Sequence, residues 1–213
     1  MRSFGTVLVT GGTRRLGQAI AGTLRARGWR VVVSSHRAGS GADFVADFTD
    51  PSAAVRLYAE VLAAAPDLCA IVNNAALFEG DAADLEAVNC IAPRKLTTLL
   101  AGREGVMCSV VNILDSRTLG PAQPDDSAYA RTKRELLGET RRAAEMFAQT
   151  LRVNAVAPGP VLAPEGRHAR AGDMLLDRRP TPDDVAEAVA YLLQAEAVTG
   201  AVIPVDSGQH LVV

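Results

Sequence analysis

The segment VLVTGGTRRLGQAI, residues 7–20, constrains the fold of this chain more than any other. Its apolar first part predicts a buried strand, and its second part has the spacing of a helix. Gly11 and Gly12 allow backbone angles and close approaches that a side chain would block, while Gly17 lets the helix pack closely on the strand. Free amides and the positive end of the helix dipole then face the turn and stabilise an anion there. The segment therefore predicts a phosphate-binding turn, with the pyrophosphate of a dinucleotide as its ligand.

The glycine spacing of this turn differs from the common dinucleotide fingerprint G-x-G-x-x-G, because Arg15 stands where a glycine is expected. A glycine-bearing turn also connects strands to helices in proteins that bind no nucleotide. Motifs elsewhere in the chain are therefore needed to distinguish a nucleotide-binding turn from an ordinary turn between a strand and a helix.

Short β-branched apolar runs alternate with segments of helical spacing along the whole chain. The predicted strands are residues 6–10, 30–34, 69–73, 106–113, 152–157 and 201–205, and the predicted helices are residues 18–27, 52–65, 84–100, 127–149 and 181–194. This alternation predicts an α/β fold, namely a single-domain, doubly wound Rossmann fold over residues 1–213 with a mostly parallel sheet. Too few residues separate Arg37 from the next apolar segment, at 45–48, for a crossover helix. Either the chain crosses there as a bare loop or the sheet is abbreviated after the second strand.

Composition narrows the class of protein. Hydrophobic residues make up 48% of the chain and aromatic residues only 4%, which favours helices packed on a parallel sheet. A net charge of −2 without a basic block argues against nucleic acid as a partner. With no apolar run of about 18 residues, we expect no membrane segment and a cytoplasmic location. Cys69, Cys90 and Cys108 lack metal-ligand spacing, so we expect reduced, buried thiols and no metal site.

The second predicted strand ends in Ser35-His36-Arg37. An acidic residue here would accept hydrogen bonds from the ribose of NAD, whereas hydroxyls and a guanidinium suit the 2′-phosphate of NADP. The sequence therefore favours NADPH/NADP as the cofactor, although His36 and Arg37 also fit solvent-exposed loop positions. Asp47 either contacts the adenine or caps the helix that begins near Ser52.

Tyr129 and Lys133 lie four residues apart in a predicted helix, which places both side chains on one face. A nearby ammonium favours the tyrosinate and lowers the pKa of the phenol, so Tyr129 could transfer a proton near neutral pH. Reduction of a carbonyl or imine by hydride transfer requires such a group. The pair alone is weak support, because this spacing occurs by chance on many helices.

Taken together, the motifs resemble those of the short-chain dehydrogenase/reductase family. The matching residues are Thr10-Gly11 through Gly17, Asn73-Asn74-Ala75, Asn89, Tyr129-x-x-x-Lys133, Pro158-Gly159 and Val205-Asp206-Ser207-Gly208. The resemblance covers nearly the whole chain and implies a Rossmann domain that binds NAD or NADP and usually forms a homotetramer. A homotetramer or homodimer would assemble through the helices at residues 84–100 and 127–149 and the apolar tail 211–213.

The resemblance also implies roles for individual residues. Tyr129 would be the general acid/base, Lys133 would hold the nicotinamide ribose and tune Tyr129, and Asn89 would fix a water at the end of a proton relay. The other implied cofactor contacts are Gly11, Thr13, Arg14, Arg15, Leu16, Gly17, Asn73, Asn74, Ala75, Pro158, Gly159, Val161 and Leu162.

Members of this family usually carry a fourth catalytic residue, a serine, three positions after the strand asparagine and thirteen before the tyrosine. Counted from Asn112 this position is Asp115, but counted back from Tyr129 it is Ser116. An extra residue between positions 117 and 127 would explain the difference.

A narrower resemblance, to the pteridine reductases and dihydromonapterin reductases, favours Asp115, since aspartate replaces the serine in those enzymes. It rests on the first-turn arginines, on His36-Arg37, on Asp115-x-Arg117 and on residues 206–210. It implies that Arg15 reaches both cofactor and substrate, and that hydride passes from NADPH to a C=N carbon of a dihydropterin.

The substrate is less constrained than the reaction. Residues 159–179 contain no aromatic residue, so Phe78 or Leu162 would have to pack on a flat pterin ring. Two alternatives remain. One is an NADPH-dependent reductase of a small ketone or aldehyde in which Ser116 polarises the carbonyl, and the other is a catalytically weak NADP(H)-binding sensor or scaffold.

Overall fold

The computed structural model of the protein describes residues 4–121, 126–161 and 174–212. Within these ranges, seven strands form one sheet in the order β3-β2-β1-β4-β5-β6-β7, and every neighbouring pair is parallel. The strands are β1 (Thr6–Thr10), β2 (Arg30–Ser35), β3 (Phe44–Val45), β4 (Leu68–Asn73), β5 (Cys108–Ile113), β6 (Leu151–Pro158) and β7 (Val202–Val205).

Helices connect the strands. They are α1 (Arg15–Ala26), α2 (Ala53–Ala64), α3 (Ala82–Glu86), α4 (Ala92–Ala101), α5 (Ala128–Met146) and α6 (Pro182–Gln194). A π-helical turn at Ala87–Ile91 joins α3 to α4, so the single helix predicted at residues 84–100 has a local change of pitch around Asn89. Such turns often mark functional sites. At α6, Thr181 and Asp184 form a capping box and Pro182 occupies the first turn, which together define where this helix starts.

The strands are buried between two layers of helices. In β1, Leu8 faces the apolar cluster beneath α2 and α4, whereas Val7 and Val9 face the cluster beneath α1 and α6. This division follows from the two-residue period of a strand, and it explains why β1 is apolar throughout rather than alternating. The predicted α/β Rossmann fold is thus confirmed.

The connection after Arg37 is a bare loop, and it leads to an edge strand of only two residues. β3 pairs with the last residues of β2, Ser34 with Phe44 and Ser35 with Val45, so the chain needs to return only a short distance. Asp43 anchors this return, because its carboxylate accepts a hydrogen bond from the Val33 amide at 2.8 Å. Both alternatives for this region therefore apply together, with a helix-free crossover and an abbreviated sheet.

None of the helices in the described ranges combines the length and apolarity that crossing a membrane requires. Cys90 and Cys108 are buried and Cys69 is half-buried, and all three are free thiols whose pKa burial raises. The described residues contain no cluster of histidine, cysteine or acidic side chains arranged to hold a metal.

Candidate active site

A cleft of about 1220 Å³ opens at the carboxyl ends of the strands, where ligands bind in folds of this type. Most residues singled out in the sequence line it. They are Gly11, Thr13, Arg14, Arg15, Leu16, Gly17, Ser35, His36, Arg37, Asp47, Asn74, Ala75, Phe78, Asp115, Tyr129, Lys133, Pro158, Gly159 and Val161. Asn73, Asn89 and Ser116 are not part of its lining, and Leu162 lies outside the described residues.

The turn after β1 brings backbone atoms closer together than side chains would allow. Gly11 has a φ of +63°, and a Cβ built on Gly17 would lie 2.2 Å from the Gly11 carbonyl oxygen. It would also lie 2.6 Å from the Asn74 amide nitrogen. Gly17 therefore lets α1 start directly against the turn, as the sequence predicts.

Gly17→Ala is expected to destabilise the protein by about 1–3 kcal/mol, because the new methyl group must displace backbone rather than a flexible side chain. Gly22→Ala in the same helix is the matched control. A Cβ on Gly22 meets nothing within 4 Å, so that substitution should stabilise the protein by about 0.5–1 kcal/mol through the lower entropy of its unfolded chain. Urea unfolding of the two variants measures both values. Equal effects would contradict the close approach at Gly17.

The start of α1 is arranged to receive an anion. Arg14 is extended and provides no side-chain cap, and no acidic residue lies in the first turn. Arg15 has a φ of +51°, a left-handed conformation that glycine adopts more easily. Arg15 therefore adopts the backbone conformation expected of a glycine at this position. Its side chain places a cation beside the helix N-terminus.

Thr10 and Asn74 join the ends of β1 and β4. The Thr10 hydroxyl oxygen accepts hydrogen bonds from the amides of Asn74 and Ala75, each at 3.0 Å. The Asn74 side chain donates to the carbonyl oxygens of Thr10 at 2.9 Å and Gly11 at 3.2 Å. Asn74 thus fixes the glycine turn while it lines the cleft.

The end of β2 forms another part of the cleft wall. Ser35 is buried and its hydroxyl accepts a hydrogen bond from the Arg37 amide, while the side chains of His36 and Arg37 are exposed. Asp47 lines the cleft but does not cap α2. Its carboxylate accepts hydrogen bonds from the Thr49 amide and hydroxyl, whereas Asp50 accepts those of Ser52 at the helix start. The proposed capping role of Asp47 is therefore wrong, because its carboxylate is bound by Thr49, and Asp50 instead holds Ser52, the residue before α2.

Tyr129 and Lys133 lie on the inner face of α5, 8% and 2% exposed. The Lys133 ammonium donates to the Ile113 carbonyl oxygen at 2.8 Å and lies 5.9 Å from the centroid of the Tyr129 ring. Burial lowers the pKa of Lys133 to about 8, with the nearby Asp115 carboxylate opposing this effect. The pair is brought together as its spacing predicts.

The pKa of Tyr129 moves in the opposite direction to the one expected from the sequence. Burial of the phenol raises its pKa first, and the charge of the Asp115 carboxylate raises it further, with Arg117 opposing. The spacing of a tyrosine and a lysine along a helix could not reveal this, because the dominant charge comes from the loop after β5. Tyr129 is therefore held as a neutral phenol, the form that donates a proton.

Asp115 and Ser116 differ clearly in position. The Asp115 carboxylate lines the cleft, forms a two-point ion pair with Arg117 at 3.1 and 2.9 Å, and acts on Tyr129. Ser116 is 1% exposed and is not among the residues that line the cleft, and its hydroxyl has no hydrogen-bond partner within the described part of the chain. The geometry therefore favours Asp115, the position counted from Asn112, over Ser116, the position counted back from Tyr129, as the fourth catalytic residue.

Phe78 supplies the aromatic surface at the cleft. Its ring stacks on the ring of Tyr129, with centroids 4.2 Å apart and an interplanar angle of 29°. The side chain is 63% exposed, an unusual value for a phenylalanine. A flat ring placed beside Tyr129 would therefore find an aromatic face to pack against.

Asn73 and Asn89 lie behind the cleft. The Asn73 amide donates to Asn112, whose own amide donates to Thr140, so these side chains link β4, β5 and α5. The Asn89 side chain exchanges two hydrogen bonds with the backbone of Leu77 and donates a third to Thr132. The side chains of both asparagines therefore hold the walls of the site in place rather than line it.

Sequence reasoning did not assign roles to several residues of the cleft. Arg117 is the clearest example, and its only signal was its position two residues after Asp115. Glu79 and Asp84 also line the cleft, as does Gln209 from the segment after β7. Gln209 falls within the motif at residues 206–210, whereas nothing in the local patterns of Glu79 and Asp84 distinguishes them from ordinary surface positions.

The turn after β6, where Pro158 and Gly159 are predicted to contact the cofactor, packs against the segment after β7. A Cβ on Gly159 would lie 2.6 Å from the Asp206 Cβ, and the Gly159 amide donates to the Val205 carbonyl. Asp206 is buried and accepts hydrogen bonds from the Gly208 amide and from the His210 amide and ring. This explains why the Pro-Gly and Val-Asp-Ser-Gly motifs occur together.

These features fit a dinucleotide. The glycines of the turn at Gly11–Gly17 pack too closely for side chains, the α1 N-terminus has no side-chain cap, and the exposed His36 and Arg37 follow β2. Tyr129 and Lys133 lie further along the same cleft, so a nicotinamide between them and the turn after β6 would meet a proton donor.

Known proteins with the same features were found by sequence and by structure. The family model described as enoyl-(acyl carrier protein) reductase matches residues 11–210. Protein FixR of Bradyrhizobium diazoefficiens is 32% identical over 96% of this chain and 86% of its own length. Pteridine reductase 1 of Leishmania tarentolae is 28% identical over 96% of each chain. The structure of FolM alternative dihydrofolate reductase 1 from Brucella canis, complexed with NADP, has a TM-score of 0.85 at 30% identity and covers 98% of this chain and 95% of the other.

The parallel sheet, the glycine turn and the buried tyrosine–lysine pair define a nucleotide-dependent oxidoreductase with a Rossmann-type fold. The matches extend across almost all of the sequence, including the turns after β1 and β6 as well as α5. The chain belongs to the short-chain dehydrogenase/reductase family, as its motifs predict.

Proposed function

We propose that this protein is an NADPH-dependent reductase of a dihydropterin-like C=N bond. The observation that carries the proposal is the grouping of Asp115, Tyr129 and Phe78 at one end of the cleft, where a carboxylate, a proton donor and an aromatic face meet. A pterin offers a flat ring and hydrogen-bonding edges to such a group. The names of the pteridine reductase and FolM relatives support the same substrate class.

Bound NADPH would supply the hydride, which adds to the carbon of the C=N bond. The phenol of Tyr129 would donate its proton to the adjacent nitrogen, and burial keeps that phenol neutral until it does so. Lys133, with its ammonium fixed on the Ile113 carbonyl, would hold the nicotinamide ribose and stabilise the tyrosinate that forms. Phe78 would orient the substrate ring, and Arg15 would reach cofactor and substrate from the glycine turn.

The direct test is oxidation of NADPH, followed at its absorbance band, with dihydrobiopterin, dihydrofolate and a panel of simple ketones and aldehydes offered in parallel. Turnover of a dihydropterin supports the proposal. Turnover of carbonyl compounds alone would refute the substrate class, and tight NADPH binding with no turnover would favour a sensor or scaffold.

Selectivity for NADPH is assigned to the loop after β2. Arg37→Ala is expected to weaken NADPH binding about 10- to 100-fold, the equivalent of one charge-assisted hydrogen bond, and to leave NADH binding nearly unchanged. Calorimetric titration with each nucleotide measures the two constants. Arg141→Ala is the control, because Arg141 is exposed on α5 and does not line the cleft. Equal losses for NADPH and NADH in Arg37→Ala would exclude a contact with the 2′-phosphate.

We also propose that the protein forms a homodimer or homotetramer through α4, α5 and the C-terminal segment. Met146 is 72% exposed on α5 and Leu211 is 68% exposed near the C-terminus, as expected of surfaces that a second copy covers. Sedimentation equilibrium measures the molecular mass of the protein in solution directly, and the mass of a monomer would contradict the proposed assembly.

A further inference from the structure

Arg134 directly follows Lys133 on α5, but its side chain enters the loop between β5 and α5 instead of the cleft. The guanidinium is only 18% exposed. It donates to the Asp126 carboxylate at 2.8 Å and to the carbonyl oxygens of Thr118 at 2.9 Å and Pro121 at 3.0 Å. It also donates to the carbonyl of Gly120 and, at 3.4 Å, to that of Arg117. The Arg134 guanidinium thus donates hydrogen bonds to four backbone carbonyls and one carboxylate.

The segment that Arg134 holds is the one that presents Asp115. Residues Ser116–Thr118 form a single 3₁₀ turn, and the Asp115 carboxylate caps it by accepting the Arg117 amide at 3.0 Å. The Thr118 hydroxyl donates to the Asp115 carbonyl oxygen at 2.6 Å. Because Arg134 binds the carbonyls of residues 117, 118, 120 and 121, it fixes the far side of this turn. The direction of the Asp115 carboxylate therefore depends on it.

Only arginine has the donor geometry for this arrangement. Its planar guanidinium carries five N–H donors in a fixed fork, whereas lysine has three donors at one point. Four of the five acceptors are carbonyls within residues 117–121, and the fifth is the Asp126 carboxylate next to the start of α5. A carbonyl left without a hydrogen bond in a partly buried site costs free energy. Lysine at this position has too few donors, all at one point, to bind all five acceptors.

We infer that Arg134 is a positioning residue that sets Asp115 against the Tyr129 phenol. Tyr129 and Arg134 belong to the same helix, so the proton donor and the loop that carries the carboxylate share one rigid support. The inference uses the proposed function for its activity readout, and the exchange of the loop amides provides a readout that does not depend on it.

The experiment compares Arg134→Lys and Arg134→Met with Arg141→Met, which removes an exposed arginine from the same helix. In the protein saturated with NADPH, the Arg134 variants should lower kcat for a dihydropterin about 10- to 100-fold, the order expected for a misplaced group, with NADPH affinity unchanged. The amides of Arg117, Thr118 and Leu119, which are hydrogen-bonded within the turn, should exchange faster with deuterium. Arg134→Lys should show the loss of kcat and the faster amide exchange just as Arg134→Met does, because lysine cannot replace the arginine.

A double-mutant cycle separates positioning from general stability. If Arg134 acts through Asp115, then Arg134→Lys should have little further effect on kcat in an Asp115→Asn background. Additive losses, an unchanged kcat or full activity of Arg134→Lys would overturn the inference.

The proposed function and this inference can fail separately. A wild-type protein without dihydropterin turnover would refute the function, and the amide exchange would still decide the role of Arg134. Faster exchange of the loop in the Arg134 variants, but not in Arg141→Met, would then uphold the positioning role. Unchanged exchange would overturn it, whatever the turnover.

Discussion

Tyr129→Phe is expected to lower kcat about 100- to 10,000-fold while leaving NADPH affinity nearly unchanged. The substitution removes only the hydroxyl, and the remaining ring still packs against Phe78 with its centroid 4.2 Å away. The cleft should therefore keep its shape and lose its proton donor. Stopped-flow measurement of NADPH oxidation gives the rate, and a fluorescence titration gives the affinity.

Tyr191→Phe is the control for this experiment, since Tyr191 is 55% exposed on α6 and lies outside the cleft. It should match the wild type in both measurements. If Tyr129→Phe loses affinity and rate to the same degree, the hydroxyl acts in binding rather than in proton transfer.

The sequence predicts the fold well because the features that define it are local. A β-branched run followed by glycines and a helical pattern specifies β1, the turn and α1 without reference to the rest of the chain. Arg15 shows how far such a pattern extends: the residue differs from the expected glycine, but its φ of +51° keeps the expected backbone. The edge strand was harder to predict, because it has only two residues and is held by backbone pairing with the end of β2 and by the contact of Asp43 with Val33.

The site is predicted less completely, because its chemistry depends on groups that meet from distant parts of the chain. Spacing along a helix correctly placed Tyr129 beside Lys133, but it could not include the Asp115 carboxylate, which raises the pKa of the phenol. Arg134 had no recognisable signal at all, since most of its partners are backbone carbonyls. Similarly, no sequence pattern indicated that the side chains of Asn73 and Asn89 bond to the walls of the cleft, and their roles at the cofactor and its water stay predictions.

Asp115→Asn and Ser116→Ala are expected to separate the two candidates for the fourth catalytic residue. Asp115→Asn should lower kcat for a dihydropterin by about 100-fold or more, as is typical when a group that assists proton transfer is lost. Ser116→Ala should leave kcat almost unchanged, because the serine is buried and does not line the cleft. The reverse order of effects would move the assignment to Ser116 and favour reduction of an ordinary carbonyl.

The pH dependence of the two variants provides an independent test. The Asp115 carboxylate raises the pKa of Tyr129, so removing its charge lowers that pKa. Lys133, whose pKa burial lowers to about 8 and the Asp115 carboxylate raises, loses its charge at a lower pH than Tyr129 loses its proton. With that charge goes the ammonium that stabilises the tyrosinate, and removing Asp115 lowers the pKa of both groups. The alkaline limb of the kcat profile should therefore shift to lower pH in Asp115→Asn and stay in place in Ser116→Ala. An unshifted limb in Asp115→Asn would mean that the carboxylate acts on the substrate without tuning the pKa of Lys133 or Tyr129.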